Sequence, residues 1–273
     1  GVAEGAALDI QETAPLFGFD TRVSGSTDPA ALAGSDVVVI TAGIPRKPGM
    51  TRSDVLETNV KILDVIVDDI VKHAPGSMML LVSNPVDILT YRAWKRSGWP
   101  RSPVFGQAGV LDSSRMASFV AMETGLSVQD IQAMVLGGHG DAMVPMMRYT
   151  TVSGIPVSNF LDKETTDRII KRSRHGGAEI LALKQSSSAY QAPAAAITTM
   201  IDAIGHDRKR ILPTVAILED EYGYDDLAMG VPCMLGEDGM ERVIQLELDD
   251  SERAMFDQTI TDIQKDLERL KTL

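Results

Sequence analysis

The histidine at position 139 stands among glycines, in the stretch Gly137-Gly138-His139-Gly140-Asp141, directly after the apolar run of residues 131–136. Glycines leave an imidazole open to whatever occupies the space beside it, and imidazole is the side chain that exchanges protons near neutral pH. Taken alone, such a histidine is more often a structural or surface residue, and glycines often only mark a turn. Its company changes that reading. Asp112 and Arg115 lie three residues apart, which places them on one face of the helix that the sequence predicts over residues 110–123. At a surface they would form a local ion pair of little worth. Beside His139, Asp112 instead accepts the second ring N–H and stabilises the imidazolium. Two further arginines, Arg46 and Arg52, sit in a breaker-rich loop at residues 42–52. Singly each reads as a solvated charge. As a convergent set in an acidic chain, arginines point to a small carboxylic acid, which the guanidinium grips with two parallel hydrogen bonds.

Composition narrows the classes further. The chain has 273 residues, 44% of them hydrophobic and 23% charged, enough for one large core or two modest domains. A net charge of −12 argues against nucleic acid, because phosphate binding needs a basic face. The acidity is read as serving solubility rather than a saline habitat. No apolar run approaches the roughly 20 residues of a membrane span, so a soluble, cytoplasmic protein is expected. The single cysteine, Cys233, excludes an internal disulfide, fits a reducing compartment, and among Val231, Pro232, Met234 and Leu235 reads as a buried strand residue.

The elements that must position these residues follow from periodicity. The chain begins at Gly1 inside an expected helix that runs into Pro15. A short strand is expected at residues 20–25 and a helical turn or two at 28–33. Residues 36–41 form an unbroken β-branched strand, expected to be buried on both faces as in a parallel sheet. A helix opens at Ser53-Asp54 and places Leu56, Val60, Leu63, Val67 and Ile70 on one face. A second buried strand at 78–82 ends in Ser83-Asn84-Pro85-Val86-Asp87, followed by a helix at 88–96 and a strand at 104–106. Alternating strands and helices predict a doubly wound parallel α/β sheet, whose ligands bind beyond the carboxyl ends of the strands. Both unusual loops lie at that edge. After Gln107 the pattern turns α+β, with a helix at 110–123, a strand at 131–136 and an antiparallel pair within 144–157 turning at Ser153-Gly154. A long helix at 162–184, interrupted at Gly176-Gly177, precedes an Ala-rich helix at 192–203 and strands at 210–218, 231–235 and 243–248. A final helix from Ser251 carries Phe256, Ile260, Ile263, Leu267 and Leu270 on one face. The expected domains are 1–107 and 108–273, with no internal repeat or linker.

Four stretches, in one order and at matching separations, resemble the lactate/malate dehydrogenase family. They are Thr41 to Arg52, Val82 to Asp87, Leu111-Asp112-Ser113-Ser114-Arg115 and Gly137 to Asp141, and the resemblance runs the length of the chain. It implies a Rossmann-type dinucleotide-binding domain at 1–107, a substrate/catalytic domain at 108–273, and hydride transfer between NAD and a 2-hydroxy acid. In that scheme His139 is the general acid/base and Asp112 fixes its tautomer. Arg115 clamps the substrate's C1 carboxylate, and Arg52, delivered by closure of the loop, polarises the reacting carbonyl. Asn84 hydrogen-bonds substrate and cofactor, with Asn59 assisting, and the Asn84-Pro85 bond is expected to be cis. Thr41, Ala42, Gly43, Val82 and Ser83 complete the cofactor-binding set. No metal is expected.

Arg46 separates the family's branches. The lactate branch typically has an uncharged Gln there, whereas a cation pairs with the second carboxylate of a dicarboxylate such as malate or oxaloacetate. Ser188-Ala189-Tyr190-Gln191-Ala192-Pro193-Ala194 resembles the matching wall of the malate-oxidising branch built on the lactate-dehydrogenase plan. Malate oxidation is therefore the expected activity, with a lactate or broad 2-hydroxyacid dehydrogenase as the alternative. A catalytically idle binding protein of this fold is disfavoured by the set of Arg46, Arg52, Asp112, Arg115 and His139. A homo-oligomer follows by resemblance, a tetramer before a dimer. The family's Gly-x-Gly-x-x-Gly fingerprint is not among these residues, nor is the acidic residue that holds the adenosine ribose. By resemblance Gly1 falls just after the second strand, so a front segment of roughly 35 residues, about one βαβ unit, is expected to precede it.

Overall fold

The apolar runs and the amphipathic segments between them assemble in a computed structural model that describes residues 1–45, 52–185 and 189–271, apart from the side chains of Arg52 and Ser53. In chain order the first half comprises α1 (Val2–Glu12), α2 (Ala14–Phe17), β1 (Val37–Ile40), α3 (Arg52–His73), β2 (Met78–Leu81), α4 (Val86–Ser97) and β3 (Val104–Gly106). The second half comprises α5 (Gly109–Thr124), β4 (Ile131–Gln132), β5 (Val135–Gly137), β6 (Met143–Pro145), β7 (Thr151–Val152) and β8 (Ile155–Pro156). It continues with α6 (Lys163–Lys184), α7 (Gln191–Gly205), β9 (Arg210–Glu219), β10 (Asp225–Gly236), β11 (Gly239–Val243) and α8 (Asp250–Leu270).

Strands β1, β2 and β3 run parallel, with Ile40 opposite Leu81 and Leu81 opposite Gly106. The sheet then continues antiparallel through β9, β10, β5 and β6. Gly106 pairs with Val215, so a single sheet crosses from one half of the chain to the other. One large core follows it, from Leu56, Val67 and Leu80 to Val231 and Phe256. A smaller core under α5 holds Met116, Val120, Val135 and Ile169 beside the three-stranded sheet β4-β7-β8.

Helix α3 buries the face that its spacing marked: Leu56, Val60, Leu63, Val67 and Ile70 are all inside. Its outer side meets α4 through charge. Arg92 grips Asp64 with two bonds of 2.8 and 2.7 Å, and Arg96 grips Asp68 likewise. Planar forks of this kind fix register as well as adding energy. The final helix opens with a reciprocal cap between Asp249 and Glu252. Arg148 reaches the same Glu252 carboxylate, tying the helix to the segment after β6. No helix among the described residues is long and apolar enough to cross a membrane.

Several elements differ from expectation. Residues 20–25 pair with no strand among the described residues; the Val23 N–H is taken by the Gln11 side chain instead. Of β1 only Ile40 is fully buried and the other three residues are half-buried, because β1 is the end strand of the sheet. The run at 131–136 breaks into β4 and β5, which belong to different sheets, and the Met134 carbonyl between them accepts from Met146 N–H. Helix α6 passes unbroken through Gly176-Gly177. The last strand is 239–243 rather than 243–248, since the chain leaves the sheet after the Ile244 N–H to Pro232 carbonyl bond.

Candidate active site

The catalytic turn is built where β5 ends. Gly137 pairs with Gly230 of β10 and adopts a φ of 88°, in the left-handed region that glycine enters without cost. The Met143 N–H returns to the Gly140 carbonyl at 3.1 Å and closes a turn directly after His139. Its Nδ1 lies 2.9 Å from Asp112 Oδ2. The other Asp112 oxygen accepts from Arg115 Nη1 at 3.1 Å. Asp112 is 1% exposed, so this carboxylate bridges histidine and arginine away from bulk water. Helix α5 is held to β5 by a hydrogen bond from Val135 N–H to Ser113 Oγ at 3.0 Å, which fixes Asp112 relative to the strand that delivers His139.

Electrostatics follow from that burial. Desolvation works against the imidazolium, but the Asp112 carboxylate outweighs it by charge and hydrogen bond, with Asp87 adding, and the His139 pKa is raised. The imidazolium is thereby favoured over its ordinary balance, with Nε2 the nitrogen left for a substrate.

The Arg115 side chain runs across α6 at the glycine pair read as an interruption. A Cβ on Gly176 would stand 3.2 Å from Arg115 Cδ, and one on Gly177 would stand 3.9 Å from Nη2. The glycines serve close approach rather than a kink. Arg115 Nη1 donates to Asp112, and Nε is buried with no hydrogen-bond partner among the described residues, so protein acceptors do not saturate the five N–H donors of the guanidinium. Gly176→Val is expected to displace the guanidinium and raise KM for the carboxylic acid substrate by about 10- to 100-fold. A kcat and KM split by steady-state kinetics checks it, and an unchanged KM would remove the glycines from the account.

A second group gathers at the carboxyl ends of β1 and β2. Asn59, buried on α3, accepts from Ile44 N–H at 2.8 Å and donates to the Asn84 carbonyl at 2.8 Å, so one amide clasps both loops. Ser83 Oγ donates to the Ala42 carbonyl at 2.5 Å. Thr41, Ala42, Gly43 and Asn84 are exposed there, Val82 and Ser83 half-buried, and the Asn84-Pro85 bond is cis. A Cβ on Gly43 would stand 3.1 Å from Asn59 Oδ1, so the glycine lets the loop close on the Asn59 amide. Arg52 opens α3, whereas Arg46 and Ser188 lie outside the described residues.

The two groups meet through Asp87, whose Oδ2 accepts the main-chain N–H of His139 at 3.2 Å. Sequence reasoning quoted Asp87 and Ser113 only within their motifs and gave neither a role of its own. An acidic residue in an otherwise apolar helix start was the available signal for Asp87.

A histidine paired with a buried carboxylate, beside an arginine fork and the ends of parallel strands, defines an α/β dehydrogenase of the Rossmann type. Residues 1–106 match the description "lactate/malate dehydrogenase, NAD binding domain", and residues 109–273 match "lactate/malate dehydrogenase, alpha/beta C-terminal domain". The chain is 72% identical over 271 residues to the malate dehydrogenase of Thioalkalivibrio sulfidiphilus, covering 99% of this chain and 88% of that protein. Its structure resembles the malate dehydrogenase of Salinibacter ruber with a TM-score of 0.95 at 44% identity, over 100% of this chain and 87% of that one. The lactate dehydrogenase of Cryptosporidium parvum, solved with lactic acid and nicotinamide adenine dinucleotide, is similar with a TM-score of 0.93 at 37% identity, over 97% and 85% of the two chains. The chain belongs to the lactate/malate dehydrogenase family, whose members are NAD-dependent oxidoreductases.

Proposed function

We propose that the chain catalyses the reversible NAD-dependent oxidation of (S)-malate to oxaloacetate. The observation that carries this reading is the unbroken contact from His139 through Asp112 to Arg115, which places a proton-exchanging ring beside a carboxylate-binding fork. In oxidation, His139 Nε2 takes the C2 hydroxyl proton while Asp112 holds the resulting imidazolium. In reduction the same proton returns to the oxygen. Arg115 grips the C1 carboxylate, Arg52 polarises the C2 carbonyl, and Arg46 pairs with the distal carboxylate. NAD, when bound, would accept the hydride that leaves C2 in oxidation, and NADH would return it in reduction. Thr41, Ala42, Gly43, Val82, Ser83 and Asn84 would hold its nicotinamide end, with Asn59 keeping the two loops together; the Asn59 amide bonded to both Ile44 and Asn84 supports that fit.

The division into a dinucleotide-binding part at 1–107 and a substrate part at 108–273 is supported by the limits of the two family matches. A homo-oligomer is supported by apolar side chains exposed on α2 (Leu16 and Phe17) and on α6 (Leu181 and Leu183), and a tetramer before a dimer by the family resemblance alone. We place the enzyme in the cytoplasm, as a step of the tricarboxylic acid cycle.

Arg46→Gln tests the substrate assignment. Loss of the cation leaves the distal carboxylate unpaired at a cost of about 2–5 kcal/mol. The ratio of kcat/KM for oxaloacetate over pyruvate should therefore fall by about 10²–10³. Oxaloacetate turnover persisting relative to pyruvate would defeat the distal-carboxylate role. A wild-type preference for pyruvate would favour the lactate or broad 2-hydroxyacid reading.

A further inference from the structure

Asp87 is a buried carboxylate that the proton-transfer scheme above does not use. It stands in the first turn of α4, is 8% exposed, and directs Oδ2 away from its own helix to the main-chain N–H of His139. Its Oδ1 has no hydrogen-bond partner among the described residues. A carboxylate that served only the helix start would sit in solvent, where desolvation costs nothing. This one is enclosed by the catalytic turn itself. A Cβ on Gly138 would stand 3.6 Å from Asp87 Oδ2 and 3.3 Å from Thr259 Cγ2 of α8, so the glycine lets carboxylate, turn and helix close on one another. The charged groups that bear on Asp87 are His139 from the turn and Asp112 from α5; α8 presents Thr259, whose hydroxyl donates to the Ala142 carbonyl.

We propose that Asp87 is a positioning residue for His139, its carboxylate anchoring the main chain of the catalytic turn and sharing with Asp112 the stabilisation of the imidazolium. Two carboxylates then serve one ring from different elements. Asp112 fixes the ring's tautomer and orientation through Nδ1, and Asp87 fixes the backbone that carries the ring. This rests on His139 as the acid/base of the proposed reaction. The electrostatics agree with the geometry: burial pushes the Asp87 carboxyl up more than the His139 N–H and charge pull it down, leaving it at about 6, and Asp87 in turn helps to raise His139. Each group thus shifts the ionisation of the other.

The test reads the histidine without turnover. The chain has four histidines, and the His139 signals are assigned by comparison with His139→Gln. Asp87→Asn keeps an acceptor for the His139 N–H but removes the charge, whereas Asp87→Glu keeps the charge. The His139 imidazole, followed by NMR in the absence of substrate, should titrate at least about half a pH unit lower in Asp87→Asn than in the wild type. Asp87→Glu should remain nearer the wild type. The pH limb of kcat for oxaloacetate reduction should move the same way, with KM changed less than about twofold, because Arg115 is untouched. A helix-start role alone would lower stability and leave the imidazole midpoint where it was, and that outcome overturns the proposal. If Asp87→Asn does not fold, the unmodified protein decides. The His139 amide signal should shift with the midpoint read from the Asp87 carboxyl carbon, and an amide that does not follow that titration overturns the proposal. Because neither NMR measurement needs turnover, failure of the assigned activity and failure of the Asp87–His139 coupling are told apart.

Discussion

Asp112→Asn is expected to lower kcat for oxaloacetate reduction by about 10³–10⁴, the scale found when a buried carboxylate orienting a catalytic histidine is made an amide. The reason is arithmetic of donors and acceptors. The carboxylate accepts from His139 Nδ1–H with one oxygen and from Arg115 Nη1–H with the other. An asparagine has one acceptor and one NH₂, so either the histidine or the arginine must face a donor. If the oxygen turns to Arg115, the imidazole is driven to the tautomer with its proton on Nε2, unable to accept there. If it turns to His139, Arg115 loses its anchor. The charge is lost in both cases. Asp112 is the main group opposing the desolvation of the imidazolium, so the His139 pKa falls in the variant. Reduction needs the protonated ring, and its rate declines as pH rises through the His139 pKa; the declining limb should therefore move to lower pH. A pH profile of kcat from 5 to 9 measures both effects. A loss under tenfold with an unmoved limb would mean that Asp112 does not orient His139.

The sequence showed unequal parts of this site. Residue types with strong chemical preferences were legible: a histidine among glycines, an Asp and an Arg at helical spacing, and a Gly-Pro-rich loop at a strand end. The helix faces were equally plain, because burial of Leu56, Val60, Leu63, Val67 and Ile70 repeats with the period of the helix itself. What periodicity does not carry is which segments meet. Gly176-Gly177 read as a break because glycine weakens a helix locally, while its use is the passage of Arg115 from another helix. Residues 131–136 read as one strand because all carry strand-compatible side chains, and only the pairing partners divide them between two sheets. Residues 36–41 read as doubly buried from their composition, yet in the described structure β1 has a neighbour on one side only. Asp87 shows the same limit at the site. Nothing local distinguishes a carboxylate that caps a helix start from one that turns toward a backbone N–H 52 residues away.

Arg115→Ala is expected to cost kcat/KM for oxaloacetate about 10³-fold or more, mostly through KM. A desolvated, hydrogen-bonded charge pair that loses one partner is worth roughly 2–5 kcal/mol, and here two anions depend on one guanidinium. Asp112 loses the bond to Nη1, and the substrate carboxylate loses the guanidinium proposed to grip it. Arg115→Lys should recover only a small part of the loss. An ammonium is a single charge on a flexible stem, so it pairs with Asp112 or with the substrate, whereas the planar fork serves both at once. The groove that the side chain crosses supports this, since the glycines of α6 accommodate the flat guanidinium along its edge. Added guanidinium ion should restore part of the activity to Arg115→Ala and none to Arg115→Lys, where the ammonium fills the space. A structural role for Arg115, confined to holding Asp112, predicts the reverse split: KM near the wild type and kcat reduced along with the displaced histidine. Steady-state kinetics with and without added guanidinium therefore separates a substrate clamp from a brace for the catalytic pair.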